Sequence, residues 1–194
     1  MAISNYAGLK TAIASWLDRT DLTDIIPDFI ALAETRHKRD FKIRRMETRV
    51  TANTIDGSEF YSLPDDYVAM RNIKLNTDPK TPLEFLTPEI MDRLNAGSSK
   101  GKPKAYTIKG NNIEIRPIPD GVYQIEVSYY KHFTALSDSN TTNDMLTHHP
   151  DVYLYGSLVE AEPYLQNDKR IQVWQSYYDR AKQDIITSNE RDRH

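Results

Sequence analysis

The chain contains no cysteine, which excludes disulfides, thiolate metal sites and cysteine nucleophiles. Glycine is sparse, with seven in 194 residues. None of the seven falls in a GxxxxGK[ST] or GxGxxG arrangement, so neither phosphate-cradling loop is present. HExxH is also missing, which removes support for a helical zinc site. No window approaches the roughly 18 apolar residues that a membrane-spanning helix needs. The opening MAISNYAGLK lacks a basic stretch followed by an apolar run and does not read as a secretory signal. A basic excess is absent as well. The formal net charge is −3, whereas dedicated nucleic-acid binders carry a clear positive balance.

What is present suits one compact domain or a core with an appended arm: 39 % hydrophobic and 27 % charged residues. Twelve tyrosines stand against five phenylalanines. Tyrosine joins an apolar ring to a polar tip, which suits half-buried surfaces between subunits as well as ordinary strands.

Tyr6, Leu9, Ile13, Trp16 and Leu17 repeat at helical spacing and predict a helix over residues 5–18, capped by Ser4 or Asn5. A second helix is predicted over 24–45, with Pro27 in its first turn. On it Ile26, Phe29, Ile30, Ala33 and His37 share one face, and Lys38, Lys42 and Arg45 share the other. The pattern then changes to period two. Residues 48–55 and 59–63 read as a hairpin turning at Asp56-Gly57, with a further strand over 68–75. Thr87-Pro88-Glu89 starts a small helix. Strands at 105–109, 112–117 and 123–131 read as a three-stranded meander. Helix returns near Pro150 and is kinked or ended by Pro163, and a last helix runs over 169–187. The polar SNERDRH at 188–194 reads as a frayed or extended tail.

The expected class is α+β: a helical bundle built from the N- and C-terminal helix pairs (1–47 and 145–187), with an inserted antiparallel β-hairpin and meander region (48–136).

Little in this arrangement reads as chemistry. His148-His149 is the only adjacent histidine pair, and neighbouring side chains diverge; His37, on an apolar face, reads as a packed residue. Asp65-Asp66 beside Pro64 reads as a turn. The sharpest charge feature is residues 36–49, with seven Lys or Arg and two acids. It admits a phosphate contact, a solvated helix face, or a dock for an acidic protein. The catalytic, cofactor and metal sets are therefore empty, and the basic-face candidates are Lys38, Lys42 and Arg45.

Four stretches carry a resemblance: residues 9–47 (LKTAIASWLDRTDLTDIIPDFIALAETRHKRDFKIRRME), 63–75 (LPDDYVAMRNIKL), 102–138 (KPKAYTIKGNNIEIRPIPDGVYQIEVSYYKHFTALSD) and 148–185 (HHPDVYLYGSLVEAEPYLQNDKRIQVWQSYYDRAKQDI). In order and phrasing the chain resembles the head-to-tail adaptor (connector) proteins of tailed, especially short-tailed, bacteriophages. The resemblance implies a non-enzymatic virion protein without cofactor or membrane association, made in the host cytoplasm. It implies a ring, usually of twelve copies, below the portal protein. The ring extends the DNA channel without reading sequence and gives a tail or nozzle protein its platform. It also implies a portal-facing C-terminal segment, here Ile185, Ile186, Asn189, Glu190, Arg191, Arg193 and His194. Two other readings stay open: a nucleic-acid-binding module, and another virion component such as a head-completion stopper or tail-tube protein.

Overall fold

The first helix begins where a side chain can replace the missing helical acceptor. Asn5 is extended, and its Oδ1 accepts the Gly8 N–H at 2.8 Å. The same device starts the short helix after the polar 137–143 loop, where the Asn143 side chain accepts the Leu146 N–H at 2.8 Å. The computed structural model describes residues 3–94, 97, 99–165 and 169–191. In chain order these form α1 (Tyr6–Leu17), α2 (Ile26–Asp40), β1 (Glu47–Asn53), β2 (Phe60–Ser62), β3 (Tyr67–Leu75), β4 (Thr81–Pro82), β5 (Glu84–Phe85), α3 (Pro88–Leu94), β6 (Ala105–Lys109), β7 (Asn112–Arg116), β8 (Gln124–Lys131), α4 (Asp144–His148), α5 (Pro150–Glu160), α6 (Glu162–Leu165) and α7 (Arg170–Arg191). The class is mixed α+β, and the chain divides into a helical unit (residues 1–45 and 133–194) and a strand-rich unit (residues 46–132).

In the helical unit α5 is central. Val152, Tyr153, Leu154, Gly156, Ser157, Leu158 and Val159 are all buried, so the helix is covered on every side. It packs against α1, α2, α4 and α7. Gly156 sets the closest approach. A Cβ there would lie 3.2 Å from both His37 Nε2 and Tyr178 Cε2, and 3.4 Å from Ala33 Cβ. Gly156→Val is therefore expected to destabilise this unit by about 1–3 kcal/mol through overpacking, despite its better helix propensity. Urea unfolding followed by tryptophan fluorescence checks this, because both tryptophans, Trp16 and Trp174, belong to this unit.

A buried polar network holds the returning chain to the helices. Glu34 Oε1 accepts the Leu136 N–H at 2.8 Å and the Tyr153 hydroxyl at 3.0 Å. Asn143 Nδ2 donates to Tyr153 Oη at 2.7 Å and to the Thr134 carbonyl at 2.9 Å. The five groups of this network thus satisfy one another.

The strand-rich unit has two four-stranded sheets, ordered β1-β8-β3-β4 and β2-β7-β6-β5. The pairings between these strands are antiparallel except β5 with β6. Ile73, Leu75, Ile125, Val127 and Tyr129 from the first sheet share one core with Tyr106, Ile113 and Ile115 from the second. The hairpin between β6 and β7 turns at Gly110, whose φ of +58° suits glycine.

Four expectations change. Residues 48–55 and 59–63 do not pair as a hairpin: β1 joins β8, and β2 joins β7 in the other sheet. Likewise 105–131 is not a meander, because β8 leaves the β6-β7 sheet. Pro117 and Pro119 lie between β7 and β8 and carry no N–H, so the ladder cannot be carried through that connection. The second helix stops at Asp40 rather than 45. Phe41 is extended (φ −112°, ψ 131°), and the 41–43 segment alternates buried Phe41, exposed Lys42 and buried Ile43, which a continuing helix would not allow. The last helix runs past 187 to Arg191 instead of fraying at Ser188, with no Gly or Pro to stop it. Residues 192–194 lie outside the described residues.

Candidate interaction surfaces

The residues singled out by sequence separate into three environments. His37 is buried, stacked on Tyr178 (ring centroids 6.0 Å apart) and edge-on to Tyr153 (4.9 Å). Burial pushes its pKa down to about 4, only partly opposed by the Val152 backbone and Asp40. Desolvation moves Glu34 the other way, upward, with the Leu136 and Tyr153 hydrogen bonds opposing it. The signs follow by linkage. His37 contributes stability that is present above about pH 6.5 and lost as pH falls toward its folded value near 4. Glu34 contributes stability present at acid pH and lost as pH rises through its raised value. His37→Leu is therefore expected to flatten the loss of helical-unit stability between pH 6.5 and 4, by on the order of 2–3 kcal/mol. Tryptophan-monitored urea unfolding across that range measures it; an unchanged pH slope would contradict it.

The basic stretch is not one helix. Lys38 lies on α2, Lys42 on the extended segment and Arg45 in the 3₁₀ turn that follows, because α2 ends at Asp40. Arg36 is engaged internally: it forms an ion pair with Glu160, bonds Gln175 Oε1 at 3.3 Å and lies 5.4 Å from the centre of the Tyr178 ring. Asp40 accepts the Tyr178 hydroxyl at 3.0 Å and pairs with Lys182 at 2.9 Å. Much of the charge between 36 and 40 thus fastens α7 to α2 and α5.

Arg45 instead meets two of the C-terminal candidates. With Arg44, Ile43 and His149 it lines a pocket of about 340 Å³, which Ile185, Ser188 and Asn189 of α7 close. Asn189 Oδ1 accepts the Arg44 backbone N–H at 2.6 Å. Ile185 is buried and Ile186 half-buried, while Glu190 and Arg191 are exposed. Arg193 and His194 lie outside the described residues. His148 pairs with Asp144 at 3.4 Å, and burial lowers the pKa of His149. Among the described residues no group of three or more His, Cys, Asp or Glu could hold a metal ion, and no helix is long and apolar enough to cross a membrane. Asp66 forms a turn, and its carboxylate accepts the Tyr129 hydroxyl at 2.9 Å.

Two apolar surfaces escaped the sequence reading. In the helical unit the rings of Trp16, Tyr155 and Tyr177 run in continuous contact across α1, α5 and α7, with centroids 5.7 and 5.1 Å apart. Trp16 is 42 % exposed, Tyr177 44 % and Val173, one turn before it, 49 %. Arg170 braces the cluster: it bonds the carbonyls of Trp16 (3.2 Å) and Leu17 (3.4 Å) at the C-terminal end of α1 and stacks on Trp174. In the strand-rich unit Ile55 and Val122 are 64 % and 73 % exposed, on adjoining loops joined by the bond from the Thr54 N–H to the Tyr123 carbonyl. Trp16 and Tyr177 each sit in an apolar stripe at helical spacing. Only an orphan position at the edge of each stripe could have signalled exposure.

Both surfaces expose large apolar side chains. No curated protein matches the chain. The family model described as SU10 adaptor protein matches residues 4–194, so nearly the whole sequence, both helical segments and the strands between them, is accounted for by one family. The chain belongs to the SU10 adaptor protein family, in keeping with its resemblance to the head-to-tail adaptors of tailed phages.

Proposed function

We propose that the chain is the subunit of a ring, of about twelve copies in such adaptors, that sits between portal and tail in the virion, continues the DNA channel and serves as the platform for tail assembly. The observation that carries this reading is the family match over residues 4–194. The helical unit, with α1, α2, α5 and α7 as a bundle, forms the body of the ring. The Trp16, Tyr155, Val173 and Tyr177 surface supports a contact between neighbouring copies. A ring closes by a head-to-tail contact, so each copy needs a second, different face to receive it. The C-terminal part of α7, with Ile186, Asn189, Glu190 and Arg191, faces the portal together with Arg193 and His194, and Ile185 supports it from below. The strand-rich unit, tipped by Ile55 and Val122, faces the neighbour or the tail. DNA passes without sequence-specific contact, which a chain of net charge −3 suits.

Size-exclusion chromatography of the chain mixed with its cognate portal tests the proposal. Co-elution as one large species is expected. Separate elution over micromolar concentrations and at low salt would count against it.

A further inference from the structure

We propose that the pocket between the 43–45 segment and the last turns of α7 is a binding site for an acidic peptide segment that carries an apolar side chain beside its carboxylates. This goes beyond the ring reading and stands on the chemistry of the pocket. At about 340 Å³ the pocket is at the small end of ligand sites and admits one or two side chains. Its floor is apolar: Ile43 and Ile185 are both buried. Its polar lining is rich in donors, with the guanidinium-bearing Arg44 and Arg45 and the hydroxyl of Ser188, and holds no carboxylate among the described residues.

Asn189 adds a donor by a constraint of geometry. Its Oδ1 must be the atom facing the Arg44 backbone, since an N–H at 2.6 Å can bond only an acceptor. The Asn189 Nδ2 group is then left as donor. Among the described residues the carboxylate on Arg45 is that of Asp144, held loosely at 3.5 Å and shared with His148 at 3.4 Å. A better-placed carboxylate would displace it and gain two-pronged contacts of the kind guanidinium groups favour.

Charge outside the pocket extends the same preference. Lys38, Arg39 and Lys42 are exposed on the segment leading into it. The nearest acid of that segment, Asp40, is already engaged by Lys182 and Tyr178. A run of acidic residues therefore matches the approach better than one carboxylate, and the apolar floor calls for a leucine- or phenylalanine-sized side chain within the run. A nucleic-acid backbone would satisfy the cations but leave the Ile43 and Ile185 floor uncovered.

The test uses the full chain and NMR amide shifts, with a blocked hexapeptide of acidic residues around one leucine as probe. A glutamine version of the peptide, sodium acetate and a 20-base-pair duplex serve as comparisons. Saturable shifts confined to Arg44, Arg45, Ser188 and Asn189 with the acidic peptide are expected, at least about tenfold tighter than with the glutamine peptide. Arg45→Ala should weaken binding about tenfold. Ser188→Glu, which places a like charge on the exposed rim, should abolish it. Lys10→Ala, on the distant Lys10–Asp138 pair, should change nothing. Equal binding of both peptides, saturation by acetate at the same concentration, or the same shifts from duplex alone would each overturn the proposal. So would acidic-peptide binding untouched by both pocket variants.

Discussion

Replacing Trp16 and Tyr177 together by alanine is expected to abolish assembly on the portal while leaving the chain folded. Both side chains are close to half exposed, so little burial is lost from the free protein. Their rings form the two ends of a continuous aromatic surface through Tyr155. Large, stiff aromatics at the centre of an interface each contribute about 2 kcal/mol or more, so losing two should weaken each contact by about a thousandfold. A ring multiplies that loss over every contact it contains. Free-chain stability should fall by about 1 kcal/mol, from the lost packing of Trp16 on Tyr155. Sedimentation of the variant with portal checks the first effect and urea unfolding followed by Trp174 checks the second. Assembly at wild-type concentrations would remove this surface from the ring contact.

The second large effect lies in the core. Tyr153→Ala is expected to cost the helical unit about 3–5 kcal/mol, a large share of what a domain of this size possesses. Tyr153 is buried against His37 and links Glu34 of α2 to Asn143, the cap of α4. Truncation opens a cavity and leaves the Asn143 amide short of one acceptor. Tyr153→Phe separates the two causes: it keeps the ring and loses only the hydroxyl, for about 1–2 kcal/mol. If the alanine variant unfolds at the same urea concentration as wild type, the network has been misjudged.

The helices were legible because their signals are local. Asn5 and Thr87-Pro88 announce starts, and the Leu9, Ile13 and Leu17 spacing fixes the buried side of α1. The end of α2 was legible in part. Phe41-Lys42-Ile43 alternates with period two, but a run of helix-forming Lys and Arg around it hides the change. Strand positions could be read, but not their partners. Val50 opposite Val127 and Phe60 opposite Glu114 are pairings across more than fifty residues. A local rule joins neighbours through Asp56-Gly57, and nothing near those residues records that the sandwich separates them into two sheets.

The surfaces were harder still. Trp16 and Tyr177 obey the helical spacing of a core stripe, and only three-dimensional packing around α5 leaves them at its edge. The pocket joins Arg45 to Asn189 across most of the chain, and the sequence offered those residues as two unrelated sets.

A ring between portal and tail, as proposed for this adaptor-family chain, can be seen directly. Electron cryo-microscopy of the chain incubated with purified cognate portal tests it most directly. A closed ring seated on one end of the portal is expected, with helical units forming its wall, α7 toward the portal, and Trp16 and Tyr177 buried between neighbouring copies. Portal particles without added density, or with the chain bound as scattered single copies, would contradict it.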